Sequence, residues 1–417
     1  MTGRRGGVRG DRGLLDTDRD AIRVLVISPL YPSAEDPVHG VFVERQVRLL
    51  EQLGVAVELV VSTKPARKAV GWKYLRLAFD VLRVCGRPFD LVHVHWPVAP
   101  GVYGWLVARL RRRPLVVTIH GAEIDPDPIY DFELGRLKRR LTRAVSAWVL
   151  RRSDAVIVVG SYLVPVVRAM GVAEERISVI NMGVNTDQFR PHPRQDARDR
   201  LGLPGESPVF VSIGSLTPVK GHRFAIEAFG QLVQSHASCR LYVLGEGYLE
   251  GELRRMAREL GLVDHVVFVG ARPSDEVAWW LAASDALIVA SLTESFGLVA
   301  LEALACGVPV IASRVGGLVD QVEDGVNGFL VPPGDPGAIA GAARRILADP
   351  GAHEAMGLHC VRASRRHDAL TQAARVVGLY RELLCVPGRS APRAGTAQRR
   401  APSAQAACEP THDGPRA

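Results

Sequence analysis

Ten short runs that are apolar end to end, rather than alternating, decide what this chain can fold into. "RVLVIS", "VAVELVV", "LVHVH", "LVVTI" and "AVIVVG" lie in the first half, and "VFVSIG", "LYVLG", "VVFVG", "ALIVA" and "VPVIAS" in the second. A strand wetted on one face alternates, whereas a strand covered on both faces is apolar throughout, and each run here is followed by a helix-like segment. The pattern predicts an α/β chain with two doubly wound, Rossmann-like parallel-sheet units. The polar, Pro-containing stretch 191–207 is read as the linker, leaving 21–190 and 208–370 as the units. The segment 371–386 is expected to form a helix packing back on the first unit. Residues 1–20 and 387–417 offer little apolar surface to bury, so both ends are expected to be disordered.

No stretch approaches 18 uninterrupted apolar residues, and the Arg-rich start runs into the first strand without a small-residue cleavage site. A cytoplasmic location is therefore expected. The six cysteines are scattered with no C-x-x-C pair, which argues against a zinc site and a disulfide framework alike. Charge is uneven: residues 1–190 hold 29 Lys+Arg against 20 Asp+Glu, and residues 191–417 hold 23 against 24. The positive first half implies an acidic partner there, such as an anionic membrane surface or a phosphorylated acceptor; nucleic acid is not expected, because no recognition motif accompanies the charge.

Ligands of doubly wound sheets sit beyond the carboxyl ends of the strands, so chemistry is sought in strand-to-helix loops. One such loop opens "TESFGLVALEALACG", residues 293–307, where Glu294 follows a strand and Glu302 falls inside a short apolar helix. A carboxylate covered by protein wants hydroxyl or N–H donors, and a ribose diol is a good pair of them. The backbone N–H groups of Ser295, Phe296 and Gly297 at the helix start would face an anion.

The E-x7-E spacing, set in "ASLTESFGLVALEALACGVPVIASRVGG", resembles retaining glycosyltransferases of the GT-B fold, family 4. The similarity spans residues 21–385 and implies an N-terminal acceptor-binding domain facing a C-terminal nucleotide-sugar-binding domain across a cleft. It implies that Glu294 meets the donor sugar's hydroxyls and Glu302 the ribose, with the backbone at Phe296, Gly297 and Leu298 at sugar and diphosphate. "SIGSLTPVKGHRFAIEAF" is similar to the family's phosphate loop, where Lys220 would neutralise the diphosphate; Ser215 stands where most members carry arginine. "LGEGYLEGEL" matches a G-x-G turn at Gly245 and Gly247, "VVFVGARP" the segment beside the base, and Gly316–Gly317 a further turn near the donor. In the first half the match falls on Gly40, preceded by His39 instead of a second glycine, and on His120 and Gly121 in "VVTIHGAEID", where the family has a histidine near the transferred sugar. "NMGVNTDQF" resembles the segment crossing between domains, with Asn185 for the usual aspartate.

His93 and His95 share a face of "LVHVH" by alternation, but no third ligand stands at metal spacing, and His95 is assigned to the acceptor side. Asp125-Pro-Asp127 mimics a metal-binding D-x-D and reads better as turn chemistry. The segment around "ELGRLKRRLTRAVSAWVLRR" puts Leu134, Leu137, Leu141, Val145 and Trp148 on one stripe amid arginines. That stripe packs on the sheet, or else meets anionic lipid.

These readings combine into a retaining, metal-independent hexosyltransferase, with a nucleotide-diphospho-sugar as co-substrate and no other cofactor. The acceptor would be lipid-linked, a glycan or a small molecule, and the setting cell-envelope polysaccharide or glycolipid synthesis. The alternatives are an epimerase or phosphorylase on the same fold, or a nucleotide-sugar-binding protein without turnover.

Overall fold

The computed structural model describes residues 21–33, 40–61, 70–121, 124 and 136–385. The two ends expected to be disordered, His39, and the Asp125–Asp127 loop lie outside the described residues. The first sheet contains β1 (Arg23–Ser28), β2 (Ala56–Val61), β3 (Leu91–His95), β4 (Leu115–Ile119), β5 (Ala155–Val158) and β6 (Ile177–Val179), in the order β2-β1-β3-β4-β5-β6. The second contains β7 (Val209–Ile213), β8 (Arg240–Leu244), β9 (Val266–Gly270), β10 (Ala286–Val289), β11 (Val310–Ser313) and β12 (Gly328–Val331), in the order β12-β11-β10-β7-β8-β9. Every pairing between these strands is parallel.

All ten apolar runs are strands, and the inner strands β3, β4 and β5 are buried along their whole length. Two edge strands carried no such run. β6 is three half-buried residues, and β12 opens on Gly328, where a Cβ would stand 2.1 Å from the Val310 carbonyl oxygen. An edge strand needs less apolar surface, and a glycine chosen for close approach hides the pattern.

Helices cover both faces of the first sheet. On one side α1 (Val41–Gln52) contributes Val43, Val47 and Leu50; on the other α2 (Val70–Val84) and α3 (Pro100–Arg111) contribute Leu77, Val81 and Val107. Full burial of such a side chain stabilises by roughly 1.5–3 kcal/mol, so each apolar face holds its helix against the loss of chain freedom. α13 (Ala369–Cys385) lies beside α1 and inserts Val376, Val377 and Tyr380 into the first sheet's core.

The segment 191–207 is more than a spacer. It contains α6 (Arg194–Leu201), whose Arg198 is only 5% exposed and bonds to Asp285 Oδ2 at 2.9 Å and the Ala283 carbonyl at 3.0 Å. A polar sequence reads as solvated chain, yet here one buried guanidinium, offset by a carboxylate and carbonyls, pins the crossing to the second domain.

The amphipathic reading of residues 133–152 is corrected in part. In α4 (Arg136–Leu150), Trp148 meets Trp105 edge-on at 4.5 Å, and Ser146, Val149 and Leu150 are buried, but Leu141 is 64% exposed. The buried positions fall in the last turns, so Leu141 points away from the sheet; the side chains of Leu134 and Leu137 lie outside those described. No helix among the described residues is long and apolar enough to cross a membrane.

Candidate active site

The candidate residues lie on the strand-to-helix connections and the helices that follow them, with His95 as the last residue of β3. After β7 the chain makes a tight turn at Pro218–Lys220 and enters α7 (His222–Leu232) through Gly221, at φ 63°. A Cβ on Gly221 would sit 2.0 Å from the Ala290 carbonyl oxygen, so only glycine lets this loop press against the loop after β10. The Leu292 N–H donates to the Val219 carbonyl at 2.8 Å and locks the two together.

That contact brings Lys220 to Glu294. Nζ lies 2.7 Å from Glu294 Oε2, and the Ser291 hydroxyl donates to the same oxygen at 3.1 Å. Glu294 is 8% exposed, so its charge is held by a cation and a hydroxyl rather than by water. Its carbonyl accepts from the Gly317 N–H at 3.1 Å, which draws the Gly316–Gly317 turn against the site.

Gly297 has φ 84° and is not helical: α10 runs from Leu298 to Ala305. The expected helix start at Ser295–Gly297 therefore moves, and the free N–H groups of the first turn begin at Leu298. Phe296 is buried beneath it, its carbonyl accepting from the Gln321 side-chain amide. Gly245 has φ 138° and lies where a Cβ would meet the Gly214 carbonyl, so the turns after β7 and β8 are stacked. Ser215 is exposed, its hydroxyl 3.4 Å from that of Thr217.

Glu302 sits in the middle of α10 with a side chain 14% exposed. Burial pushes its carboxyl up to about 7, against the pull of Arg45. Arg45 comes from α1 in the other domain, its Nη1 3.6 Å from Glu302 Oε1 and its Nη2 3.1 Å from Ser274 Oγ.

On the N-terminal side Gly40 (φ 81°) starts α1 tight against the backbone of Leu30 and Tyr31. His95 ends β3 and is 1% exposed, its Nδ1 3.0 Å from Nε2 of His120, with the two rings stacked. His93 lies beneath, with Nδ1 2.6 Å from the Tyr380 hydroxyl and Nε2 2.7 Å from the Thr118 hydroxyl. Burial holds all three imidazoles below their ordinary range, so they are neutral at pH 7. Neutral rings can share one proton across the His95–His120 contact, which fixes the second ring's tautomer. His95 thus lies behind His120 rather than on an open wall. Phe42 and Trp96 close over His120 at 4.9 and 4.4 Å, Trp96 in a left-handed conformation at φ 74°.

The halves meet at this point. A Cβ on Gly121 (φ 114°) would fall 2.5 Å from Ser295 Oγ, so His120–Gly121 and the Glu294–Ser295 loop face each other directly. The Ser161 N–H, in the first domain, donates to Asp320 Oδ2 in the second at 2.7 Å. Arg45, Trp96, Ser161, Ser291 and Asp320 were not singled out in the sequence. A lone Ser, Asp or Arg carries no periodic or motif signal. Asn185 needs no special account: its Oδ1 accepts from the Asp187 N–H at 3.0 Å, the turn an aspartate would make.

The model for glycosyl transferases group 1 matches residues 193–359, and that for glycosyltransferase family 4 matches residues 18–188. The D-inositol 3-phosphate glycosyltransferase of Acidothermus cellulolyticus is 34% identical over 307 residues, covering 71% of this chain and 68% of that protein. The chain belongs to glycosyltransferase family 4. Its two facing sheets are the GT-B fold. The sucrose-phosphate synthase of Thermosynechococcus elongatus superimposes with a TM-score of 0.74 at 24% identity, over 87% of this chain and 99% of that one. HepE of Anabaena in complex with UDP does so with a TM-score of 0.70 at 23% identity, over 87% and 100%. As a family 4 glycosyltransferase, the protein carries Lys220 and Glu294 in loops after strands of its C-terminal domain, Glu302 within α10, and His120 across from Glu294.

Proposed function

We propose that this family 4 glycosyltransferase moves a hexose from a nucleotide-diphospho-sugar, with UDP as the favoured nucleotide, to an acceptor held by the N-terminal domain, with retention of anomeric configuration. The observation that carries this reading is Glu294. A poorly exposed carboxylate paired to Lys220 and facing His120–Gly121 is set to accept hydroxyl hydrogen bonds from a sugar while the lysine is handed to its phosphates. The structural relative bound to UDP supports the choice of nucleotide. Lys220 and the first N–H groups of α10 stabilise charge developing on the leaving diphosphate, the largest electrostatic demand of the step. The acceptor hydroxyl attacks on the face the diphosphate leaves, giving up its proton to that phosphate. His120, neutral and oriented by His95, positions the sugar, and closure of the halves excludes water.

The acceptor carries a phosphate. The positive first half and the relative acting on D-inositol 3-phosphate favour this class. A lipid-linked version is favoured by a separate observation: Leu75, Phe79 and Leu82 on α2 and Leu106 and Leu110 on α3 are exposed among Arg76, Arg83, Arg109 and Arg111. Apolar side chains flanked by arginines suit an anionic membrane face. Incubation of UDP-glucose with inositol 3-phosphate, or with a polyprenyl phosphate in anionic vesicles, tests both. UDP release only in the presence of one acceptor, with an axial anomeric product by NMR, is expected. Turnover without acceptor, or an inverted product, refutes the reading.

A further inference from the structure

We propose that Arg45 is a positioning residue for the nucleoside end of the donor: by reaching from the N-terminal domain to Oε1 of Glu302, it presents Oε2 of that carboxylate to the ribose diol only when the domains are closed. The inference rests on the reading of Glu302 as the ribose ligand and goes beyond it, because it makes a residue of the acceptor domain part of donor recognition. Its basis is a three-way junction. Arg45, in the second turn of α1, spans the cleft to Glu302 at 3.6 Å and to Ser274 at 3.1 Å. Ser274 begins α9 (Ser274–Ala283) and also receives the amide of Gln188, from the segment joining the domains, at 3.0 Å. The guanidinium is thus anchored by its hydrogen bond to a serine that Gln188 holds in place, and stands at ion-pair distance from the carboxylate.

An Arg paired to a poorly exposed carboxylate has two effects. It favours the ionised, acceptor-only form, and it draws Oε1 toward itself, so the other oxygen is the one left to a donor. Both are lost when the halves part, since Arg45 leaves with its own domain. Diol binding and closure therefore reinforce each other, each lowering the cost of the other.

The test compares UDP with its 2′,3′-dideoxy analogue by calorimetry on the full chain. Hydrogen bonds to a charged acceptor correspond to a preference for UDP of about tenfold or more in the unaltered protein. Arg45→Ala is expected to cut that preference to within about threefold, Arg45→Lys to restore part of it, and Ser274→Ala to fall between. Arg48→Ala, on the same helix but paired to Glu44, should leave it unchanged. Arg45 is 40% exposed, so its replacement leaves the core intact, and the Lys and Ser274 variants keep the comparison informative if the Ala variant does not fold. If Glu302→Ala abolishes the preference while Arg45→Ala retains it, the inference fails and the ribose reading stands. If the unaltered protein has no preference, or Glu302→Ala keeps it, the ribose reading itself fails. An Arg45→Ala variant that binds UDP more tightly marks a guanidinium that merely plugs the site, and also overturns the proposal.

Discussion

Replacing Glu302 by glutamine should stabilise the protein at high pH and leave it nearly unchanged in acid. Burial raises the carboxyl from 4.5 to about 7 in the folded chain. At about 1.4 kcal/mol per unit, ionising it in place costs the folded state roughly 3 kcal/mol. The sign follows from which state binds the proton more tightly. Below about pH 4.5 both states are protonated and there is no penalty; between 4.5 and 7 the unfolded chain ionises while the folded one does not, so stability falls; above 7 the loss is complete. The thiol of Cys306, which also faces Glu302, is pushed up to about 12 by burial and stays neutral across this window. Urea unfolding of the unaltered protein and Glu302→Gln at pH 4.5, 6 and 8 measures the difference directly. An advantage for the glutamine variant that grows with pH to about 3 kcal/mol is expected. A difference that is flat, or that grows toward acid, refutes the idea that this carboxylate is held above its ordinary range by burial.

Donor binding should run the opposite way: ribose hydroxyls donate to the ionised carboxylate, so UDP affinity rises from pH 6 to pH 8 by calorimetry, and the rise disappears in Glu302→Gln. Arg198→Met removes one of the two guanidinium groups on buried Asp285, leaving Arg194 and the Val209 N–H at 2.7 Å, and should cost about 1.5–3 kcal/mol in chemical denaturation, more than an ordinary linker substitution. Gly245→Ala places a methyl against the Gly214 carbonyl at a left-handed φ and should cost at least about 1 kcal/mol and weaken UDP binding, both read by thermal shift with and without UDP. Pelleting with anionic vesicles should exceed that with neutral ones, and Phe79→Asp with Leu82→Asp should remove the excess; equal pelleting sinks the membrane contact.

Sheet content was legible because burial on both faces writes itself into consecutive residues, and the loops carrying Lys220 and Glu294 were legible because a strand end is where such folds put chemistry. What escaped depends on partners distant in sequence. Arg198 reads as solvated until Asp285 lies beside it, and nothing in the sequence joins Tyr380 to His93, 287 residues away. Arg45 is one of many arginines in a basic half; only the packing of two domains shows which reaches Glu302. Gly297 reads as the first helical residue, and its φ of 84° makes it instead the left-handed residue before the helix.

The most direct measurement compares UDP with UDP-glucose as ligands of the unaltered protein and of Glu294→Ala. Glu294 holds Lys220 at 2.7 Å, so its replacement takes one partner from the lysine while deleting the acceptor of sugar hydroxyls. The account expects UDP to bind as well as before or better, and UDP-glucose to lose at least about tenfold of its advantage over UDP. If both ligands weaken alike, or neither changes, the donor sugar does not lie at Glu294 and the central claim is wrong.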